Sequence, residues 1–425
     1  MAVCGSIQTP SHPLPGMAGP REYLIHLLTE AAEIEHNLLC SYLYAAFSLK
    51  ARDCDSLTID EGVVVGGWRK SIVGVAIEEM GHLAQVNNLL VAVGGAPHFD
   101  RPNLPVPPGY HPASFVIRLA PFSRETLKHF IFLERPAQAK VRDADGDYRH
   151  KGPARQPTPG GLVPSTPDYE TIGEFYDEIR SALAALGKAA GRDAFVASSR
   201  VRQLSPVDIQ ISGLRVIRHM DDALQALEAI VEQGEGSSCE REDCHYRRFL
   251  GISREWDDAL EANPSFVPYH AAAVNPVMRA PAKGLDRVWV TEPAAAALLD
   301  FGNALYGLTL TLLLHTYAEG LGNRRQLIEG AMRLMHALSA TGSALASMPA
   351  AAGADVNAGL TFAVPRNLHS LPPDRADRFL HERLEWLCLA AAELAPPQTA
   401  SIVREVADLF GPREDVGGGH PSATR

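Results

Sequence analysis

The stretch 72-IVGVAIEEMGHLAQVNNLL-90 sets Ile72, Val75, Val86 and Leu90, with Val93 beyond them, on one face of a helix. Glu79 falls near the centre of that face, with His82 one turn on. A second stretch, 31-AAEIEHNLLCSYLYAAF-47, repeats the pattern: Leu28, Ala32, Leu39, Tyr42 and Ala46 form an apolar stripe with Glu35 in its middle. Both carboxylates therefore point into a core. The nearby Glu33 and His36 share the i, i+3 spacing, but Glu33 lies nearly opposite the stripe and His36 on its flank, so Glu33 is expected to be solvated.

An ionised carboxylate moved out of water without a partner loses several kcal/mol or shifts its pKa until it is neutral. A cation relieves that cost. Glu-x-x-His on one helix with a lone Glu on its neighbour is the arrangement by which ferritin-like bundles hold two iron or manganese ions. The competing reading pairs Glu35 and Glu79 with buried Arg or His, and the sequence leaves both open.

The 425 residues leave room for two or three domains, and 46% hydrophobic with 21% charged residues is an ordinary globular composition. A net charge of -11 argues against nucleic acid or an anionic membrane, both of which need a basic face, and favours a small-molecule substrate. Residues 1–20 lack the basic residues and apolar run of a secretory signal, and 304-ALYGLTLTLLL-314 is too short to span a bilayer. A cytoplasmic protein is expected, and six cysteines do not make a disulfide framework. Cys239, Cys244 and His245 form a zinc half-site that no second cysteine pair completes.

Helices are expected over 21–50, 69–94, 123–135, 171–188 and 213–233, the second ended by Gly94-Gly95 and the third capped by Ser123 with Glu134 on its apolar face. The Pro-rich 96–121 should wrap the bundle, and 136–170 reads as a polar lid containing the turn 143-DADGD-147. Ala-rich helices follow at 293–321, 324–347 and 373–394. The expected fold is all-α: a ferritin-like four-helix bundle over 21–262 with long Pro/Gly-rich insertions, and a second, C-terminal helical domain over 263–410. A flexible leader of 1–20 and a disordered tail of 411–425 flank them.

Taken in order, AAEIEHNLLCSYLYAAFSLK, IEEMGHLAQVNNLLVAVGGAPHFDRPNLP, FLERP, TIGEFYDEI, IVEQGEG and a downstream His-Tyr-x-x-Phe resemble the ferritin-like domain of the iminophenylpyruvate dimer synthase family. The resemblance covers residues 20–260 well and 270–390 more loosely. It implies a metal-carboxylate bundle in secondary-metabolite biosynthesis. Matched residue by residue, it implies metal ligands at Glu35, Glu79, His82, Glu134, Glu174, Glu235 and His245, with His36 beside Glu35 and Cys244 where the family has Ser. The helix at 213–233 carries no Glu-x-x-His, so a second metal would draw on Glu235 and His245. His36, His219 and Arg215 are candidates to orient the ligands.

The implied cofactor is iron, one or two ions, with manganese as the alternative, and such a metal would activate dioxygen or peroxide. The expected function is a metal-dependent oxidoreductase or oxygenase acting on an amino-acid-derived or aromatic small molecule. Oxidative dimerisation of an imine, such as an iminophenylpyruvate-type intermediate, is one alternative. A non-catalytic metal-binding partner of other biosynthetic enzymes is another. Iron storage fits least, because the long insertion and helical C-terminal half would hinder cage assembly.

Overall fold

The computed structural model describes residues 19–107, 109–112, 115–143, 155–156, 162–235, 243–283, 286–318 and 323–411. The expected leader up to residue 18, the Asp-rich turn beyond Asp143, residues 144–154 and 157–161 of the lid and the tail from 412 lie outside the described residues.

Helix α1 (Pro20–Ser48) is the central rod: every residue from Glu30 to Ser48 is buried, so its surroundings must close on all sides. Helix α2 (Ile59–Ala92) forms a long hairpin with it. It starts well before the expected residue 69, because Thr58 and Glu61 make a reciprocal capping box. Gly62 sits inside this helix rather than in a loop. A side chain there would collide with the Arg52 carbonyl oxygen, so glycine lets the incoming chain pass close to the first turn. At the other end Gly94, with φ of +92°, closes the helix as expected.

The remaining half of the bundle is assembled from shorter helices. Helices α4 (Ile172–Ala190) and α5 (Met220–Ile230) lie beside the N-terminal part of α1 and the C-terminal part of α2. Helices α3 (Arg124–Leu133) and α6 (His245–Ala262) pack on each other and on the opposite end of the hairpin, where Tyr42 meets Phe130 and Phe249. The α5 helix begins later than the expected 213. The backbone before it is bound instead by side-chain amides: Asn88 receives Leu204 N–H at 2.9 Å, Gln85 receives Arg215 N–H at 2.8 Å, and Gln203 receives Ile217 N–H at 2.6 Å.

The Pro-rich segment after α2 does cross the bundle, and it corrects the expectation for Glu33. That carboxylate is buried, with His98 at 3.2 Å and the Tyr110 hydroxyl at 3.3 Å, both from the strap laid over the supposedly wet face of α1. Helices α7 (Pro293–His315), α8 (Arg324–Ala346), α9 (Pro373–Leu394) and α10 (Pro397–Leu409) complete the all-α architecture. The last was unexpected. It is short and follows Pro396 directly, so α9 and α10 read in the sequence as one helix and a tail. The apolar run at 304–314 belongs to the longer α7, of 23 residues, enough to cross a membrane by length and composition; 67% of its most apolar window is buried. Helix α8 reaches α1, where Phe47 lies against Gly342. Among the described residues the only strands are the two-residue parallel pair Pro276–Val277 and Val288–Trp289.

Candidate metal centre

Glu35 comes from the middle of α1, and Glu79 and His82 from successive turns of α2. Glu134 is the residue that ends α3, and His245 is the first residue of α6. All five side chains are buried, none more than 2% exposed. They form two overlapping groups, Glu35 with Glu79 and His82, and Glu79 with Glu134 and His245, whose ligand-type atoms lie within 4.8 Å of one another.

The geometry has a near twofold pattern about Glu79. His82 Nδ1 is 2.9 Å from Glu79 Oε2 and 3.4 Å from Glu35 Oε2. His245 Nδ1 is 2.9 Å from Glu79 Oε1 and 3.4 Å from Glu134 Oε2. The two imidazole rings lie 5.7 Å apart at 29°. Each outer carboxylate is held from behind by a phenol: Tyr176 donates to Glu35 Oε1, and Tyr42 donates to Glu134 Oε1. The far nitrogen of each ring is also anchored, His82 Nε2 on Gln233 Oε1 at 3.1 Å and His245 Nε2 on Glu78 Oε2 at 2.8 Å. Both Nδ1 atoms are thereby left facing the carboxylates.

The electrostatics follow from this crowding. Burial and then the Glu79 charge push the Glu35 carboxyl up to about 8. Burial would also raise Glu79, but the His245 and His82 imidazoles outweigh it and hold Glu79 well below the usual carboxylate range. Burial would lower both imidazoles; Glu79 with Glu35 instead lifts His82 to about 10, and Glu79 with Glu134 lifts His245 well above its usual value. Protons on the two rings and on Glu35 thus relieve the crowded negative charge, and a cation would displace them.

A metal fits this donor set. Glu35 Oε2, Glu79 Oε1, Glu134 Oε2 and His245 Nδ1 are buried without a hydrogen-bond partner, all at the centre of the cluster. Their neighbours are imidazoles and phenols: the histidine pairing that the competing reading allowed is present, yet it leaves these four atoms without a hydrogen-bond partner. Carboxylate and imidazole donors suit iron or manganese.

Among the described residues, one implied by the resemblance, Glu174, is not part of this geometry. Glu174 is exposed in the first turn of α4, where its N–H binds Thr171 Oγ1 at 3.2 Å and its carboxylate accepts Glu170 N–H at 2.9 Å. It is a capping residue there. The side chain of Glu235 lies outside the described residues. Of the candidates for orienting ligands, His219 is exposed and caps α5, receiving Asp222 N–H at 3.4 Å. Arg215 binds Gln225. His36 is buried, yet its ring binds Tyr306 of α7, which also receives Arg101 Nη2 at 3.0 Å. Cys244 is disulfide-bonded, and Cys239 lies outside the described residues, so the zinc half-site is not assembled here. The sequence reading missed the roles of Tyr42, Tyr176, Glu78 and Gln233; only Glu78, adjacent to Glu79, carried any signal.

One further contact closes the centre. After α5 the chain makes a π-turn over Val231–Glu235, a form common at functional sites. A Cβ on its Gly234 would stand 3.3 Å from His245 Nδ1 and 3.4 Å from His82 Cε1. Gly234→Ala is therefore expected to crowd both rings and weaken Mn2+ binding about tenfold, the scale of a disturbed orienting contact. Unchanged affinity in a titration would mean that the turn yields instead. A cavity of about 250 Å3 elsewhere, bordered by His98, Phe99, Arg202 and Tyr317, is not lined by any of the five residues.

Comparison with known proteins agrees with the architecture. A family model described as Ferritin-like matches residues 28–254. The chain is similar to a dichlorochromopyrrolate synthase of Lentzea aerocolonigenes, 27% identical over 349 residues, covering 72% of this chain and 32% of that protein. It is also similar to a 2-imino-3-(indol-3-yl)propanoate dimerase of Chromobacterium violaceum, 25% identical over 366 residues, covering 78% of this chain and 33% of that protein. The chain thus spans about a third of the length of these relatives. A solved ferritin-like protein of Caulobacter vibrioides aligns with a TM-score of 0.44 at 19% identity, over 77% of this chain and 96% of that one.

Proposed function

The chain belongs to the ferritin-like family, and from that premise we propose that it is a metal-dependent oxidoreductase of secondary-metabolite biosynthesis, holding two iron or manganese ions and acting on an amino-acid-derived or aromatic small molecule. The observation that carries this reading is the paired triad, with Glu35 and His82 on one side of Glu79 and Glu134 and His245 on the other. Ions held there would supply open coordination positions for activating dioxygen or peroxide. The chain's own part is to fix the donors. Glu79 offers one oxygen to each half, Tyr42 and Tyr176 hold the outer carboxylate oxygens, and Glu78 and Gln233 hold the imidazole tautomers. Complete burial keeps water from competing for those oxygens.

A second reading is favoured by what one relative is named for, dimerisation of 2-imino-3-(indol-3-yl)propanoate: coupling of two imines derived from an aromatic amino acid. In that reaction two enamine tautomers each give up one hydrogen as a carbon–carbon bond forms between them. The two electrons and two protons pass to the oxidant, so that one peroxide becomes two waters.

Both readings are tested by supplying the iron-loaded chain with imines generated in place from L-tryptophan or L-phenylalanine by an amino-acid oxidase. An oxidised monomer formed only with metal supports the first reading. A product of twice the substrate mass less two hydrogens supports the second. Metal bound without metal-dependent turnover overturns both and leaves a non-catalytic partner protein.

A further inference from the structure

We infer, on the reading that these five residues hold two ions, that the two halves of the centre are unequal: the His245 half fills first and tightly, and the His82 half fills second and exchanges.

The groups nearest the cations are matched. Each half has one outer carboxylate backed by a tyrosine hydroxyl, one oxygen of Glu79 and one imidazole Nδ1. The difference lies behind the rings. His245 donates its Nε2–H to a carboxylate, Glu78, at 2.8 Å, and that carboxylate is steadied by Arg248 at 2.6 Å. His82 donates to a neutral amide oxygen, that of Gln233, at 3.1 Å, and the amide nitrogen of Gln233 is spent on Ser212 Oγ at 3.3 Å, which fixes its orientation. A carboxylate behind a ligating imidazole raises its basicity, and Arg248 offsets its net charge without removing that hydrogen bond, whereas an amide only orients the ring. The supports also differ in rigidity: Glu78 sits within the long α2, while Gln233 belongs to the π-turn Val231–Glu235.

The test is a titration of the metal-free full chain with Mn2+, following free Mn2+ by electron paramagnetic resonance. Wild type is expected to bind two ions in steps at least about tenfold apart in affinity. Glu78→Gln should weaken the first step about 10- to 100-fold and leave the second nearly unchanged. Gln233→Glu should strengthen the second step and narrow the gap, a gain that damaged folding cannot imitate. Two equal sites in wild type, a first step indifferent to Glu78→Gln, or a gap unmoved by Gln233→Glu would each overturn the inference while leaving the metal centre standing. Failure of the wild-type chain to bind Mn2+ at all would overturn the metal centre itself, and the inference with it.

Discussion

Glu79→Ala is expected to strip the centre of both ions at once, taking a chain purified without chelators from about two equivalents of iron or manganese to background by elemental analysis. No other single residue should do this, because only Glu79 contributes an oxygen to each half, 2.9 Å from His82 on one side and 2.9 Å from His245 on the other. Helix content should survive. The side chain lies inside a helix that alanine extends well, and each imidazole retains an outer carboxylate at 3.4 Å. With Glu79 gone the main force raising both rings is gone too, so they shed protons towards their ordinary pKa rather than remain as buried charges. Glu174→Ala is the control: its exposed carboxylate accepts only the Glu170 N–H ahead of α4, and metal content should not change. Full occupancy in Glu79→Ala would show that the orphaned oxygens of Glu35 and Glu134 are answered in some other way.

Trp68→Ala should produce the largest loss of stability, about 3–5 kcal/mol, read as a lowered urea midpoint. The ring is 1% exposed and sits among Phe122 and Trp256, each 5.8 Å away, and Phe266 at 6.0 Å, with its N–H on Glu255 at 2.7 Å. These contacts fasten α6 to α2. Because His245 opens α6, loosening that attachment should also weaken metal binding in the His245 half. A loss below about 1 kcal/mol, the scale of a surface change, would mean that the cluster closes around the gap.

Glu35, Glu79 and His82 were legible in the sequence because each lies within a long helix, where the 3.6-residue period fixes which way a side chain faces. Glu134 and His245 sit at a helix end and a helix start; periodicity places Glu134 on an apolar face and spacing puts His245 beside a cysteine pair, but only the family resemblance implies that both join this centre. The same resemblance attached a ligand role to Glu174, although Thr171-x-x-Glu174 carries a capping signature readable on its own. The early start of α2 was likewise written in Thr58-x-x-Glu61 and obscured by Gly62, Gly66 and Gly67, which read as loop. Helix α6 was missed although Phe249, Ile252 and Trp256 repeat at helical spacing, because charged residues surround them. The burial of Glu33 was beyond local reading. Nothing within α1 announces that His98 and Tyr110 will lie across it.

The five clustered side chains span residues 35 to 245, so more than half of the chain must be in place before the last of them arrives. During synthesis, a chain exposed only as far as α5 would present a carboxylate-lined cleft with a single imidazole, His82, and would capture metal weakly. The final donor comes with α6, whose docking depends on aromatic packing of Trp68 against Trp256 and of Tyr42 against Phe249. On the proposed reading, occupancy of the centre would be a readout of finished folding, and a binding energy gained only at the end would pull late assembly towards completion.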